Sequence, residues 1–196
     1  HAVPAQPDLR HAIEAFQPTA LVGVSGSAGG FTEPAIRALS RINPRPIIFP
    51  LSNPTSCSEC TAEQAYAWSE GRAVFASGSP FPPVTVNGRR MTPSQSNNAY
   101  VFPGVGLGVI LCQAARVTDS MFHAAGRTLA SLVTDAALAE GRLFPPLGEI
   151  RRVSAAIAVE VMRVAYQEQL AARPQPASLE QVVAENMYDA RYPDYR

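Results

Sequence analysis

Two short motifs place asparagine side chains where a polar ligand could be held. The first motif is LSNPTS, centred on Asn53, and the second is SNNAYVFPG, which contains Asn97 and Asn98. An asparagine amide carries two donor hydrogens and one acceptor oxygen without a net charge, so it can orient a hydroxyl, a carboxylate or another amide. Each motif stands where a strand is predicted to end. Because open α/β sheets bind ligands beyond the carboxyl ends of their strands, the two motifs predict a binding site there.

Both motifs also have a purely structural interpretation. Asn-Pro directly after a strand is a common way to open a turn, with the asparagine side chain bonded to its own backbone. Asn97 and Asn98 could likewise be an ordinary pair of loop residues. Neither motif by itself therefore decides between a turn and a binding site.

A glycine-rich loop, GVSGSAGG (23–30), joins a predicted strand to a predicted helix. Such a loop resembles a phosphate-binding turn, in which backbone amides at a helix N-terminus receive an anion. It is not the dinucleotide fingerprint GxGxxG, whose first two glycines are separated by one residue. The loop alone favours a tight strand-to-helix turn. The functional alternative is that Val24, Ser25 and Gly26 line the edge of a bound cofactor.

The remaining reactive side chains do not form a recognisable catalytic or metal site. Cys57 and Cys60 have CxxC spacing, which supplies at most half of a structural zinc site, so two ordinary thiols are the favoured interpretation. The segment from Ser77 to Ser79 lacks the GxSxG elbow of a hydrolase nucleophile, and no histidine stands nearby in the sequence. A hydrolase is therefore not the favoured class.

The composition is that of a globular domain. Of the 196 residues, 46% are hydrophobic and 16% are charged, which argues against a disordered chain. The 16 basic and 16 acidic residues give a formal net charge of +0, which argues against a nucleic-acid-binding surface. No apolar run has the length of a membrane span, and no signal peptide is visible. The three cysteines are too few for a disulfide scaffold, so a reducing compartment is expected.

Every one of the 16 basic residues is an arginine. A mechanism that needs a lysine base must therefore take that lysine from another segment of polypeptide. All-arginine usage also suits a GC-rich genome. Together with the cysteine content it predicts a cytoplasmic, bacterial protein, with an organelle as the alternative.

Strands and helices alternate along the first part of the chain. Compact apolar runs predict strands at 19–24, 46–51 and 72–77, and capped amphipathic segments predict helices at 32–42 and 61–70. This alternation predicts a Rossmann-like parallel α/β sheet. A short helix and turn at 12–18 precede it, and a hairpin is predicted around Asn87 and Gly88. Helical spacing dominates afterwards, with helices predicted at 107–115, 118–133 and 150–171 and a last one after Ser178.

Six motifs follow one another in order along most of the chain. They are GVSGSAGGFTE (23–33), RPIIFPLSNPTS (45–56), ECTAEQAY (59–66), FASGSPF (75–81), SNNAYVFPGVGLGV (96–109) and GRLFPPL (141–147). As a set they are similar to the malic enzyme family, whose members oxidise malate and decarboxylate the product to pyruvate and CO2. These enzymes use NAD or NADP and a divalent metal, Mg2+ or Mn2+. The resemblance implies the C-terminal part of such an enzyme: the later half of its dinucleotide-binding domain, then C-terminal helices.

The resemblance also assigns site residues. Asn53 matches an asparagine that binds malate beside the nicotinamide, and Asn97 and Asn98 match a pair that contacts the substrate and the ring. Val24, Ser25 and Gly26 match the backbone that lines the nicotinamide side. The family's catalytic lysine, catalytic tyrosine, metal ligands and main nucleotide fingerprint are expected upstream. No catalytic or metal-binding residue is therefore assigned to this segment, which by itself is expected to be inactive.

The organisation and partners follow from the same resemblance. Residues 1–172 are assigned to the NAD(P)-binding domain, and residues 173–196 to a tail that packs on a neighbour or a partner subunit. The expected partners are malate or pyruvate, the missing N-terminal part of the enzyme and further copies in a homo-oligomer, without nucleic acid or membrane. Two alternatives stay open: a malolactic enzyme, and a stand-alone, non-catalytic piece that binds a nucleotide or a partner.

Overall fold

The computed structural model describes residues 6–188, which contain a four-stranded parallel sheet and a separate two-stranded hairpin. The strands of the parallel sheet lie in the order β1-β2-β3-β6. The strand bounds are Ala20–Gly23 for β1, Ile47–Pro50 for β2, Val74–Ser77 for β3, Val84–Val86 for β4, Arg89–Met91 for β5 and Ser94–Gln95 for β6. The Rossmann-like parallel arrangement predicted from the sequence is confirmed.

Eight α-helices precede, connect or follow the strands within the described residues. Their bounds are Leu9–Phe16 for α1, Glu33–Ile42 for α2, Ala62–Trp68 for α3, Phe102–Cys112 for α4, Asp119–Ser131 for α5, Asp135–Ala139 for α6, Ile150–Gln167 for α7 and Leu179–Asn186 for α8. None of these helices is both long enough and apolar enough to cross a membrane.

The chain forms two compact units. Of the described residues, the first unit contains those from 6 to 97 together with Val133–Phe144, and the second contains Asn98–Leu132 and those from 145 to 188. The first unit therefore carries the sheet, while the second is helical. The predicted division of the chain at residues 172 and 173 stays a prediction, and the last part of the predicted tail, from residue 189, lies outside the described residues.

The core of the first unit is built on one face of the sheet. Leu21 is the register partner of Ile48, which is the register partner of Phe75, and all three side chains are buried. Helices α1, α2 and α3 contribute further apolar residues to the same cluster. Register partners on neighbouring strands point to the same face of a sheet, so these three residues join the apolar runs seen in the sequence into one continuous core.

Local signals decide where several helices begin and end. Thr61 and Gln64 form a reciprocal capping box at the start of α3, and Gly71 adopts a φ of +77° shortly beyond its end. Ser178 caps α8 by accepting a hydrogen bond from Gln181 N–H. Thr118 occupies the N-cap position of α5 without a side-chain hydrogen bond. These helix starts agree with the sequence prediction.

The hairpin also forms where the sequence predicts it. Strands β4 and β5 pair in antiparallel register, with Val86 opposite Arg89. The two turn residues, Asn87 and Gly88, have φ values of +51° and +76°. Positive φ at both positions matches the right-handed twist of the strands, which is why Asn-Gly is favoured in such turns.

Other boundaries differ from the prediction. Helix α4 begins at Phe102 instead of residue 107, because Pro103 is tolerated in a first helical turn and Gly104 and Gly108 allow close packing. A Cβ atom on Gly104 would lie 2.7 Å from Ile157 Cβ, and one on Gly108 would lie 2.7 Å from the Ala158 carbonyl oxygen. Packing against α7 therefore outweighs the low helix propensity of glycine.

Two short elements have no sequence prediction at all. The two-residue strand β6 lies in a segment rich in proline, serine and glutamine, and it is a strand only because it pairs with β3. The five-residue helix α6 is capped by Thr134, whose side chain accepts a hydrogen bond from Ala137 N–H.

Helix α1 runs from Leu9, three residues before the predicted start, because Asp8 accepts a hydrogen bond from His11 N–H.

Candidate functional site

Most of the residues assigned from the sequence lie at one edge of the parallel sheet. Val24, Ser25 and Gly26 follow β1, Asn53 follows β2 and Asn97 follows β6. Because the strands are parallel, their carboxyl ends meet at the same edge. The first unit thus brings these residues to the position where open α/β sheets bind ligands.

The Asn53 side chain has a defined orientation. Its Oδ1 accepts a hydrogen bond of 2.7 Å from Ser79 Oγ, and its Nδ2 lies 3.4 Å from the Leu51 carbonyl oxygen. An amide nitrogen carries two hydrogens, so Nδ2 keeps a second donor for an acceptor atom outside the loop. Asn53 itself is exposed. This arrangement suits a ligand that presents a hydroxyl or carboxylate oxygen.

The position of Asn53 depends on the absence of a side chain at Gly78. A Cβ atom there would lie 2.2 Å from the Leu51 carbonyl oxygen and 2.8 Å from Asn53 Nδ2. Gly78 N–H also donates to the Pro50 carbonyl at 3.0 Å. Glycine therefore lets the end of β3 lie directly against the end of β2.

Gly78 and Ser79 are functional candidates to which the sequence analysis gave no role, although they stand in the rejected hydrolase motif and in the family motif FASGSPF (75–81). The Ser77 hydroxyl donates to the Ser79 carbonyl at 2.8 Å, and both serines are buried. Their role here is to orient Asn53 and to hold its loop. The available sequence signal was the small-residue run SGS directly after a strand, at the same edge as the asparagine motif.

The buried carboxylate of Glu59 lies beneath the same edge. Glu59 is 1% exposed. Its Oε1 accepts hydrogen bonds from Ser25 N–H at 3.0 Å, from Ser25 Oγ at 3.0 Å and from Ser52 Oγ at 2.5 Å. Ser52 N–H lies 3.4 Å from Oε2. The sequence analysis assigned no role to Glu59, which it included only in the motif ECTAEQAY (59–66).

These hydrogen bonds keep Glu59 ionised. Burial by itself raises the pKa of the carboxyl group, but donation from Ser52, from the Glu59 backbone and from Ser25 outweighs burial, so the pKa lies below its ordinary value. A lowered folded-state pKa means that ionised Glu59 stabilises the fold above its unfolded-state pKa. That stabilisation is lost as the pH falls through the folded-state value, in the acidic range below the ordinary carboxyl pKa.

The glycine-rich loop directs its backbone donors inward. These hydrogen bonds run from Gly26 N–H to Ser52 Oγ at 2.9 Å, from Ser27 N–H to Ser25 Oγ at 3.2 Å, from Gly29 N–H to the Ser58 carbonyl at 3.2 Å and from Gly30 N–H to the Ser27 carbonyl at 3.2 Å. A phosphate-binding turn needs such donors to point at the ligand. With these amides engaged and the Glu59 carboxylate beneath them, the loop disfavours an anion and suits an uncharged or cationic group.

Two hydrogen bonds position the segment that carries Asn97. Ser96 N–H donates to the Ser77 carbonyl at 2.8 Å, and Gln95 Nε2 donates to the Gly78 carbonyl at 3.1 Å. They extend the pairing of β6 with β3 to the sheet edge, where Asn97 is exposed.

Asn98 belongs to the second unit. It begins a 3-10 turn, Asn98–Tyr100, that leads into α4, and it is also exposed. Within that unit the Tyr100 hydroxyl donates to the Pro145 carbonyl at 2.6 Å, which anchors the turn. The assignment of Asn97 and Asn98 to the substrate and the ring stays a prediction.

The cysteines and acidic residues do not form a metal centre in the part of the chain that the structure describes. No group of three histidine, cysteine or carboxylate side chains is close enough there to hold an ion. Cys57 and Cys60 are not disulfide-bonded, and burial, with a smaller effect of the Glu59 charge, raises the pKa of Cys60 to about 12. Residues 6–188 therefore do not fit the expected Mg2+ or Mn2+, and the upstream location of its ligands stays a prediction.

The parallel sheet and its polar carboxyl edge define an α/β protein of the dinucleotide-binding class. Residues 1–166 match the family model described as "Malic enzyme, NAD binding domain". The chain therefore belongs to the malic enzyme family. This confirms both the resemblance and the NAD(P)-binding assignment made from the motifs.

Individual relatives support the same family. The chain is 52% identical over 189 residues to the chloroplastic NADP-dependent malic enzyme of Oryza sativa subsp. japonica, and 50% identical over 189 residues to that of Zea mays. Each alignment covers 96% of this chain and 30% of the relative. The malic enzyme structure from Pyrococcus horikoshii Ot3 matches with a TM-score of 0.66 and 25% identity, covering 90% of this chain and 36% of that one.

These comparisons show how much of its relatives' length the chain spans, and they correct one expectation. The chain spans about 30% of the length of the curated relatives. The expectation of a cytoplasmic, bacterial location is wrong, because the rice, maize and Flaveria pringlei relatives are named as chloroplastic.

Proposed function

We propose that the chain is part of an NAD(P)-dependent malic enzyme, which oxidatively decarboxylates malate to pyruvate and CO2. In this proposal the segment supplies contacts to the nicotinamide and to malate, but not the catalytic lysine, the catalytic tyrosine or the metal ligands. The family membership supports the reaction class. The absence of any lysine from the sequence supports the division of labour, because the general base must then lie elsewhere.

The observation that carries the proposal is the oriented amide of Asn53. Its oxygen accepts a hydrogen bond from Ser79, which fixes the orientation of the amide. The amide nitrogen then has a second hydrogen that it can donate to a malate oxygen. A donor held in one pose lowers the entropic cost of orienting the substrate for hydride transfer. Asn53 acts here by binding and orientation and transfers no proton.

The loop after β1 forms the second wall of the proposed site. Val24 is 78% exposed and presents an apolar surface, while the amides of Ser25 and Gly26 point inward. This wall suits the flat nicotinamide ring, and the anionic Glu59 behind it favours the positively charged oxidised form. The phosphates of the dinucleotide are assigned to the upstream fingerprint implied by the family.

The outer edge of β1 supports a partner for this segment. Strand β1 is the terminal strand of the parallel sheet, and Val22 is 55% exposed. Among residues 6–188 no strand pairs with this edge, and an open edge beside an exposed apolar side chain favours addition of a further strand. We assign this edge to the N-terminal part of the enzyme. Homo-oligomerisation stays a prediction, which light scattering on the complete polypeptide would test.

The test uses the complete polypeptide that contains this chain. We expect malate-dependent reduction of NADP+ or NAD+, with pyruvate as the product. Asn53→Ala should lower kcat/KM for malate by roughly 10- to 100-fold, the effect of removing a hydrogen bond to a charged group. Asn186→Ala is the matched control, because Asn186 lies on α8 and its side-chain amide donates to the Val182 carbonyl at 2.9 Å.

Three outcomes would contradict the proposal. The first is equal activity of Asn53→Ala and Asn186→Ala. The second is the release of lactate without reduced cofactor, which would identify a malolactic enzyme. The third is turnover by the 196-residue chain alone, which would refute the upstream location of the catalytic residues.

A further inference from the structure

Glu59 connects the two loops that carry the proposed cofactor and substrate contacts. Its carboxylate accepts from Ser25, on the loop after β1, and from Ser52, at the end of β2. The Ser52 hydroxyl in turn accepts from Gly26 N–H at 2.9 Å. One buried anion therefore joins Ser25 and Gly26 to the residue that directly precedes Asn53.

We propose that Glu59 is a positioning residue, which holds the wall from Val24 to Gly26 at a set distance from Asn53. This inference rests on the proposed function, in which the two loops bind the nicotinamide and malate side by side. It assigns to Glu59 a role that neither its position in the sequence nor the family motif reveals.

The Glu59 side chain is itself held in place. Phe31 N–H donates to the Glu59 carbonyl at 3.0 Å, which ties the glutamate backbone to the start of α2. A Cβ atom on Gly23 would lie 2.5 Å from Glu59 Cδ, so the carboxylate group occupies the space beside the last residue of β1. Because its backbone is hydrogen-bonded and its carboxylate is enclosed, Glu59 can fix the positions of both loops.

The role requires a charged acceptor group, and Glu59→Gln removes the charge and one of the two acceptor oxygens. An ionised glutamate offers only acceptors, whereas glutamine replaces one oxygen by an amide with two donor hydrogens. Oε1 receives three of the four hydrogen bonds. A glutamine that keeps its oxygen at that position loses the charge that strengthens these bonds and turns a donor towards Ser52 N–H, whereas the opposite amide orientation leaves Ser25 N–H without its acceptor. The side-chain volume stays nearly the same.

The first experiment measures amide hydrogen exchange on the 196-residue chain. In Glu59→Gln we expect exchange at Ser25 and Gly26 to rise roughly 10- to 100-fold, as for the loss of hydrogen bonds to a charged acceptor. Exchange in the β4–β5 hairpin should be unchanged. Glu63→Gln is the matched control, because Glu63 is exposed on the first turn of α3.

Glu59→Asp keeps the charge but shortens the side chain by one methylene. We expect exchange rates at Ser25 and Gly26 between those of the wild type and those of Glu59→Gln. If Glu59→Gln does not fold, wild-type exchange in Glu59→Asp overturns the proposal and faster exchange confined to the loop supports it. Identical rates in Glu59→Gln and the wild type overturn it as well.

The second experiment separates positioning from general damage in the complete polypeptide. It compares the Kd of NADP+ with that of 2′-phospho-ADP-ribose, which lacks the nicotinamide; for an NAD+-specific enzyme, NAD+ and ADP-ribose replace them. In Glu59→Gln we expect the Kd of the dinucleotide to rise about tenfold, with no change for the fragment. Equal changes for both ligands, or none for either, overturn the proposal. A wild-type polypeptide without malate-dependent reduction would instead refute the proposed function.

Discussion

Replacing Gly78 by alanine tests whether the Asn53 site depends on the direct approach of β3 to β2. The added Cβ would lie 2.2 Å from the Leu51 carbonyl oxygen and 2.7 Å from the Leu51 carbonyl carbon. Both obstacles are backbone atoms, so no side-chain rotation can relieve the clash. The end of β2 must therefore move, and Asn53 must move with it.

The expected cost has two contributions. Overpacking of this kind costs about 1–3 kcal/mol. Displacing β2 also weakens the hydrogen bond from Gly78 N–H to the Pro50 carbonyl, now 3.0 Å, which is worth about 1 kcal/mol. The free energy of unfolding of the first unit should therefore fall by about 2–4 kcal/mol.

The single tryptophan makes the measurement specific for the first unit. Trp68 ends α3 and packs against the core of that unit, so its fluorescence follows the unfolding of the sheet. We expect the urea midpoint of Gly78→Ala to fall by roughly 1–2 M. Gly126→Ala is the control, because a Cβ on Gly126 in α5 would meet no atom within 4 Å. Equal midpoints for Gly78→Ala and the wild type would refute the steric argument.

Two further predictions concern buried groups of the first unit. Tyr66→Phe should raise the free energy of unfolding, followed by Trp68 fluorescence, by about 1 kcal/mol, because the buried hydroxyl has no hydrogen-bond partner among residues 6–188; an unchanged or lower value would contradict this. Iodoacetamide at pH 8 should modify Cys57 in the folded chain but reach Cys60 only in denaturant, as peptide mass spectrometry would show. Cys60 is buried with a pKa of about 12 while Cys57 is half-buried, so equal rates for both thiols would contradict the structure.

Local sequence signals predicted most of the elements. The capping box of Thr61 and Gln64 involves residues three positions apart, and the turn at Asn87 and Gly88 depends on two neighbours. Both interactions join residues that are close in the sequence, so a sequence pattern is enough to predict them. The parallel sheet followed from the alternation of these elements.

Packing between distant segments decided what the local signals could not. The N-terminal half of α4 contains glycines that oppose a helix in isolation, and it forms because Gly104 and Gly108 allow contact with α7. Strand β6 contains two residues, too few for any periodic pattern, and exists through its pairing with β3.

The candidate site shows the same division. The sequence by itself determined the family and named the asparagine residues as candidates for the site. The absence of lysine shows that this segment supplies no lysine base. Only the tertiary structure showed that Ser79 orients Asn53 across 26 residues and that Glu59 holds Ser25 across 34. Hydrogen bonds over such separations exist only after the chain has closed, because partners and distances are then set by the strand order. Residue types alone therefore identify candidate site residues, whereas the fold determines which hydrogen-bond partners orient them.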